Sequence, residues 1–294
     1  MLRNEEIKIL VEALPYLRDF KGKTVVVKYG GNAMLNDEIK NKVLQDIIFL
    51  KCAGLRPIVV HGGGPEITAQ MVKAGKKTQF VGGLRVTDEE SVGITEMALV
   101  GKINTDLVGR LNRLGGKAVA NGKDDNLIQA RKHLADVYEN GEVNLVDIGY
   151  VGTVEHINTE LLNVLLDNDF IPVIAPTGVG ATGETYNINA DSVAGEIAGA
   201  LKAEKLLVLT DVKGIYADYR DESTFLSTMT FEKAQELIIK GNIDGGMIPK
   251  VKACITALSG GAKKAQIIDG RAEHSILMEV FSDEGVGTEV VKTL

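Results

Sequence analysis

The chain has no tryptophan, two cysteines and six prolines, and its 294 residues include only seven tyrosines and seven phenylalanines. Each scarcity excludes something. With so few rings to stack on bases and 33 basic against 40 acidic residues, a net charge of -7, a general nucleic-acid binder is disfavoured. Cys52 and Cys254 lie far apart, with no CxxC and no Cys/His cluster, so neither a disulfide framework nor a zinc site is expected and a reducing, cytoplasmic compartment is. Little proline and 45% hydrophobic residues exclude a proline-rich disordered chain. No run of about 18 apolar residues occurs, which predicts no membrane span. The histidines His61, His133, His156 and His274 lack metal-ligand spacing, and HExxH, GxSxG and GxxxxGK[ST] are all missing, so no protein-held metal is expected.

Glycine, by contrast, is plentiful: 33 of 294 residues, where roughly 7% is usual. The length suits one large or two modest domains at about 100–200 residues each. Short β-branched runs at 24–28, 57–61, 117–120, 171–175, 206–210 and 266–269 read as buried strands. Helical patterns fall between them at 37–53, 65–74, 88–114, 159–166, 190–201, 231–239 and 249–259, and Thr87 with Glu90 reads as a capping box for the long third one. This alternation predicts an α/β fold with a mostly parallel central sheet sandwiched between helices. Residues 143–154 interrupt it and read as a β-hairpin insertion. Ile7, Leu10, Val11, Leu14 and Leu17 form one face of an N-terminal amphipathic helix; Glu5, Glu6, Glu12 and Asp19 argue against a transit peptide. A boundary near residue 195 would separate two lobes, although no linker composition marks it.

Ligands of open α/β sheets sit beyond the carboxyl ends of the strands. There the sequence places Lys28-Tyr29-Gly30-Gly31-Asn32 after the first strand and His61-Gly62-Gly63-Gly64-Pro65 after the second. Glycines in strand-to-helix turns let backbone N–H groups and a helix N-terminus meet an anion, and two such turns on neighbouring strands favour phosphate over simple turn-making. Lys28 ends a buried strand. Pro249 places Lys250 in a first helical turn, where a cation is unfavourable unless an anion shares the site. In Asn187-Ile188-Asn189-Ala190-Asp191, Asn189 suits an N-cap and Asp191 the first turn, so structure alone accounts for both; alternatively Asp191 holds the two lysines and Asn187 binds substrate. Spacing does not decide between these. Gly178-Val-Gly180-Ala-Thr-Gly183 matches GxGxxG but runs into polar residues instead of an apolar helix, which disfavours a dinucleotide site.

Over nearly its whole length the chain resembles the amino-acid kinase family. The similarity rests on Val-Lys-Tyr-Gly-Gly-Asn (27–32), Val-His-Gly-Gly-Gly-Pro (60–65), Gly-Gly-Leu-Arg-Val-Thr-Asp (82–88), Asn-Ile-Asn-Ala-Asp (187–191), Leu-Thr-Asp-Val-Lys-Gly (209–214) and Gly-Gly-Met-Ile-Pro-Lys-Val (245–251). The Gly-Leu-Arg-Val-Thr segment points within it to the branch acting on N-acetyl-L-glutamate. The resemblance implies ATP- and Mg²⁺-dependent phosphorylation of that compound's side-chain carboxylate, with Lys28 and Lys250 on the phosphoryl group and Asp191 orienting both. It implies phosphate contacts from Gly30, Gly31 and Gly63, substrate contacts from Gly63, Gly64, Arg85, Asn187 and Asn189, and nucleotide contacts from Thr210, Asp211, Gly214 and Met247. The N-terminal helix and the tail resemble an arginine-inhibited subgroup that forms hexamers as trimers of dimers. That likeness implies L-arginine near Tyr16, His274, Glu279 and Gly287, residues 1–20 as an interaction helix, 21–195 as the acetylglutamate lobe and 196–294 as the ATP lobe. An aminoadipate-type or aspartate kinase, or a non-catalytic sensor on the same fold, are the alternative readings.

Overall fold

The structure, a computed structural model, describes residues 11–34, 36–122, 125–139, 142–243, 245–282 and 285–293. Ile7 and Leu10 of the N-terminal apolar face lie outside these, and of the remainder Val11 and Leu14 are exposed. In chain order the elements begin with α1 (Leu14–Phe20), β1 (Thr24–Tyr29), α2 (Asp37–Cys52), β2 (Arg56–His61), α3 (Gly64–Lys73), β3 (Phe80–Val81) and β4 (Leu84–Arg85). A long helical stretch follows in three parts: α4 (Glu89–Glu96), a π-helical segment Met97–Asn104, and α5 (Thr105–Arg113). Next come β5 (Ala118–Asn121), β6 (Ile128–Glu139), β7 (Glu142–Ile157), α6 (Thr159–Asp167), β8 (Ile171–Ile174), β9 (Thr177–Val179), β10 (Thr185–Ile188) and α7 (Ala190–Ala200). The chain continues through β11 (Lys205–Thr210), β12 (Ile215–Tyr216), β13 (Phe225–Leu226), β14 (Thr228–Thr230), α8 (Phe231–Ile239), α9 (Ile248–Gly260), β15 (Lys264–Asp269), α10 (Ser275–Val280) and β16 (Thr288–Val291).

Eight strands form the central sheet in the order β14-β16-β15-β11-β1-β2-β8-β5, parallel except between β15 and β16. The inner strands β1, β2, β8 and β11 are buried almost without interruption because both faces of the sheet are covered there. Val26, Ile58, Val60, Leu206 and Val208 pack on one face with Val193, Ile197, Val251 and Leu258 of α7 and α9. Val25, Val27, Val59, Leu207 and Leu209 pack on the other with Leu44, Ile47, Leu99 and Leu107. β1 is flanked by β2, the next strand of the sheet in the chain, on one side and by the late strand β11 on the other, so the carboxyl ends of β11, β1 and β2 sit at a topological switch point. Among the described residues no helix is long and apolar enough to cross a membrane.

Two local expectations are corrected, the hairpin and the third helix. The hairpin insertion is larger than 143–154: that stretch is one arm, β7, paired antiparallel with the unpredicted β6, and with β9 and β10 they close a small barrel. The third helix is not capped by Thr87 and Glu90. Asp88 is the N-cap, accepting from the Ser91 N–H at 2.7 Å, while the Thr87 hydroxyl donates to the Arg85 carbonyl. Nor is that helix uniform, since eight of its residues are π-helical. The GxGxxG match is a hairpin turn between β9 and β10, closed by the Gly180 N–H donating to Glu184 O. The hydroxyls of Thr182 and Tyr186 donate to the Glu184 carboxylate and hold its pKa down at about 2. Residue 195 falls inside α7, and the sheet runs unbroken on either side of it.

Candidate active site

The carboxyl ends of β1, β2 and β11 and the N-termini of α7 and α9 converge. Lys28 is the penultimate residue of β1 and Asp191 lies in the first turn of α7, each only 6% exposed. Lys28 Nζ stands 2.9 Å from Asp191 Oδ1, and Lys250 Nζ stands 3.6 Å from Oδ2, so one carboxylate spans two ammonium groups. Burial by itself would raise the Asp191 pKa, but the charges and hydrogen bonds of Lys28 and Lys250 outweigh it and hold the carboxyl below its ordinary value. Lys250 is shifted down by burial, against the opposing pull of Asp191. Its Nζ also donates to the Gly246 carbonyl at 3.1 Å.

Two clefts meet at this cluster. One, of about 520 Å³, is lined by Lys28, Gly30, Gly31 and Lys250 at one end and by Thr210, Asp211, Gly214 and Met247 further along. Tyr216, Tyr219 and Ile243 complete its apolar wall, three residues that no motif marked. The second cleft, of about 270 Å³, brings together Lys28, Gly31, Gly63, Gly64, Arg85, Asn187, Asn189 and Asp191. The catalytic, phosphate, substrate and nucleotide candidates therefore gather around one point. Among the described residues no group of three or more His, Cys, Asp or Glu is arranged to hold a metal ion.

The glycine turns touch one another: a Cβ on Gly30 would lie 3.3 Å from the Gly62 Cα. Gly63 has a neighbour of another kind. Its missing Cβ would stand 2.5 Å from Leu99 and 2.7 Å from Ile103, so the π-helical segment packs straight onto the turn. Arg85 closes the far end of the second cleft, 8% exposed, with its pKa lowered by burial. Its guanidinium donates to Thr78 Oγ1, the Gly64 carbonyl and Thr68 Oγ1 at 3.2, 3.1 and 2.9 Å and lies over the Phe80 ring at 4.9 Å. Three of its five N–H donors are so engaged, which leaves donors for an incoming carboxylate. Phe80 faces Arg85 across the Gly82-Gly83 turn. Asn189 is the N-cap of α7: its Oδ1 accepts from Asp191 N at 2.8 Å and Ser192 N at 3.2 Å, so that oxygen is committed to the helix.

Of the second predicted set, Glu279 lies at the amino end of β11, opposite the lysine site, whereas His274 follows the carboxyl end of β15. His274 Nδ1 is 2.5 Å from Asp46 Oδ1. Glu279 is buried, its Oε1 3.5 Å from Lys205 Nζ and its Oε2 accepting the Val286 N–H, and Lys205 donates to the Glu279 carbonyl at 3.0 Å. Gly287 packs against Ile267 and Ile268 of β15. Phe20, at the end of α1, stacks edge-on with Phe281 and lies under the Lys205 ammonium. Tyr16 is half-buried in the preceding turn.

The sequence pattern of the amino-acid kinase family matches residues 23–269, which contain every strand of the sheet except β16. The chain belongs to the amino-acid kinase family. This amino-acid kinase is 55% identical to the acetylglutamate kinase of Moorella thermoacetica, over 98% of its own length and 97% of the relative's. Among solved structures it is similar to the N-acetylglutamate synthase of Neisseria gonorrhoeae complexed with coenzyme A and N-acetyl-glutamate. There the TM-score is 0.83 at 28% identity, covering 98% of this chain and 64% of the synthase. The same synthase complexed with coenzyme A and L-arginine matches with a TM-score of 0.80 at 27% identity, covering 98% and 65%.

Proposed function

We propose that this kinase transfers the γ-phosphoryl group of ATP to the side-chain carboxylate of N-acetyl-L-glutamate, giving N-acetyl-L-glutamyl 5-phosphate, a step of arginine biosynthesis. The Lys28–Asp191–Lys250 cluster carries this reading, because it stands where the larger and smaller clefts meet. The relative's name, acetylglutamate kinase, supports the choice of acceptor. ATP would take the larger cleft, its base against Tyr216, Ile243 and Met247, its phosphates toward Gly30, Gly31 and the lysines. Acetylglutamate would take the smaller one, its α-carboxylate at Arg85 and its amide near Asn187 and the free amide nitrogen of Asn189. In this assignment the ATP lobe is 196–294 and the acceptor lobe 21–195, with α7 shared at their junction.

The acceptor carboxylate is already ionised at neutral pH, so no general base is required. What opposes the reaction is repulsion between anions, and it is overcome by positioning and by fixed positive charge. Lys28 and Lys250 supply that charge on either side of the transferring group, and Asp191 keeps both aimed at it. The N–H groups of Gly31, Gly63 and Gly64 donate to its oxygens. Mg²⁺, arriving on the nucleotide phosphates, would neutralise part of their charge.

The deciding experiment is ADP release across acceptors. N-Acetyl-L-glutamate should be turned over far faster than free glutamate, aspartate or N-acetyl-aminoadipate. Equal rates would remove the acceptor assignment, and no release with any of them would favour a sensor.

We infer in addition that L-arginine inhibits the enzyme by binding among Tyr16, His274, Glu279 and Gly287, and that residues 1–20 link dimers into a hexamer. The proximity of α1 to α10 supports the first part, as does the arginine complex of the similar synthase. A bound guanidinium would have to share Glu279 with Lys205. Unchanged ADP release at millimolar arginine counts against inhibition.

A further inference from the structure

His61 has no part in the mechanism above, although it opens the Gly62–Gly64 turn. Its side chain is wholly buried at the end of β2, and burial lowers its pKa to about 4, so the ring is neutral in the working range. Nδ1 lies 3.1 Å from the Gly62 carbonyl oxygen, and Nε2 is buried with no hydrogen-bond partner among the described residues. A neutral imidazole has one N–H, and a carbonyl only accepts. The proton therefore resides on Nδ1, and Nε2 is bare. A phenylalanine would fill the space without an unpaired nitrogen, so the histidine is accounted for by the bond its other nitrogen makes.

That bond fixes a peptide plane. No cis peptide occurs among the described residues, and in a trans peptide the N–H points opposite to the C=O it follows. With the Gly62 carbonyl drawn toward the buried ring, the Gly63 N–H is turned the other way; Gly63 lines the acceptor cleft. Among the described residues that N–H donates to no backbone carbonyl. The preceding peptide is held too, because the Gly62 N–H donates to Tyr29 O at 2.8 Å.

We propose that His61 is a positioning residue for phosphoryl transfer: its Nδ1–H holds the Gly62–Gly63 peptide in the orientation that presents the Gly63 N–H to the transferring group. This rests on the phosphotransfer reading above. Two variants test it, His61→Leu, which removes the donor, and His61→Asn, whose amide N–H can replace Nδ1–H. Both are assayed by ADP release with N-acetyl-L-glutamate and by thermal melting. The Leu variant should fold and lose at least tenfold in kcat with KM for both substrates changed less than threefold, and the Asn variant should recover most of the loss. A folded Leu variant within tenfold of the wild-type kcat, or an Asn variant no better than Leu, overturns the proposal. A second measurement is independent of turnover and of whether Leu folds. Selective ¹⁵N-histidine labelling of the wild-type protein should show His61 as the Nδ1–H tautomer from pH 5 to 8.5, and an Nε2–H tautomer refutes the proposal. Failure of wild type to use N-acetyl-L-glutamate would instead strike the acceptor reading and leave the tautomer result standing.

Discussion

Asp191 holds two lysines that would otherwise repel each other, and that makes the site sensitive to single atoms. Lys28→Ala should lower kcat by roughly 10²–10³-fold, the size of losing one preorganised donor to transition-state charge, in a protein that still folds but melts at a lower temperature because Asp191 loses its nearer partner. ADP-release kinetics and circular dichroism check this together. The acid side of the stability profile has a definite sign. His61 has a folded pKa of about 4 against an ordinary 6.5, so the unfolded chain takes up the proton first. Its contribution is complete above 6.5 and is lost as pH falls towards 4; Asp191, also held low, adds a loss further down. Melting temperatures from pH 4 to 7 should therefore rise with pH, less steeply in His61→Asn. Lys28 and Lys250 were legible in the sequence because each stands where a charge is disfavoured, one at the end of a buried strand and the other in a helix's first turn. The setting of Arg85 was not, since Thr68, Thr78 and Phe80 reach it from separate segments with no common spacing.

At the scale of elements, α7 and α9 bring Asp191 and Lys250 together by an unusually close crossing. A Cβ on Gly195 would stand 2.6 Å from the Ala253 carbonyl oxygen, which is backbone and has little room to yield. Gly195→Ala should force the helices apart, destabilise the protein by about 1–3 kcal/mol and lower kcat as Lys250 withdraws from Asp191. Chemical denaturation and steady-state kinetics read the two effects separately. The buried strands were legible because a short, continuous apolar run bounded by Gly, Pro or charge is what a strand covered on both faces requires. Strand β6 was hidden: Arg131, Lys132 and His133 follow one another in it, and a barrel arm with polar residues on successive positions shows no clean alternation. The π-helical segment was hidden for the opposite reason. Its apolar positions Ala98, Leu99 and Ile103 continue a helical pattern, and a change in hydrogen-bond spacing leaves no mark on composition.

Across the whole molecule, the phosphotransfer site and the Lys205–Glu279 pair lie toward opposite ends of β11, since Lys205 begins that strand and Thr210 ends it. An arginine bound at one end would thus act on the same strand that carries nucleotide contacts at the other. Removing residues 1–20 should leave basal ADP release near wild type, weaken arginine inhibition, and shift the oligomer to a smaller species by analytical ultracentrifugation. An unchanged sedimentation coefficient would contradict the linking role of that segment. The fold class was legible from strand and helix alternation alone, but the acceptor identity came from motif resemblance and then from relatives, because many chemistries share such a sheet. The sheet's order also dictates how the protein can be made. Its central strand β1 pairs on one side with β2 but on the other with β11, residue Val25 against Lys205. During synthesis, β1 must wait with one apolar edge open until most of the chain has left the ribosome. Such an edge invites pairing with other nascent chains, so folding in the cell should lean on a chaperone that shields it.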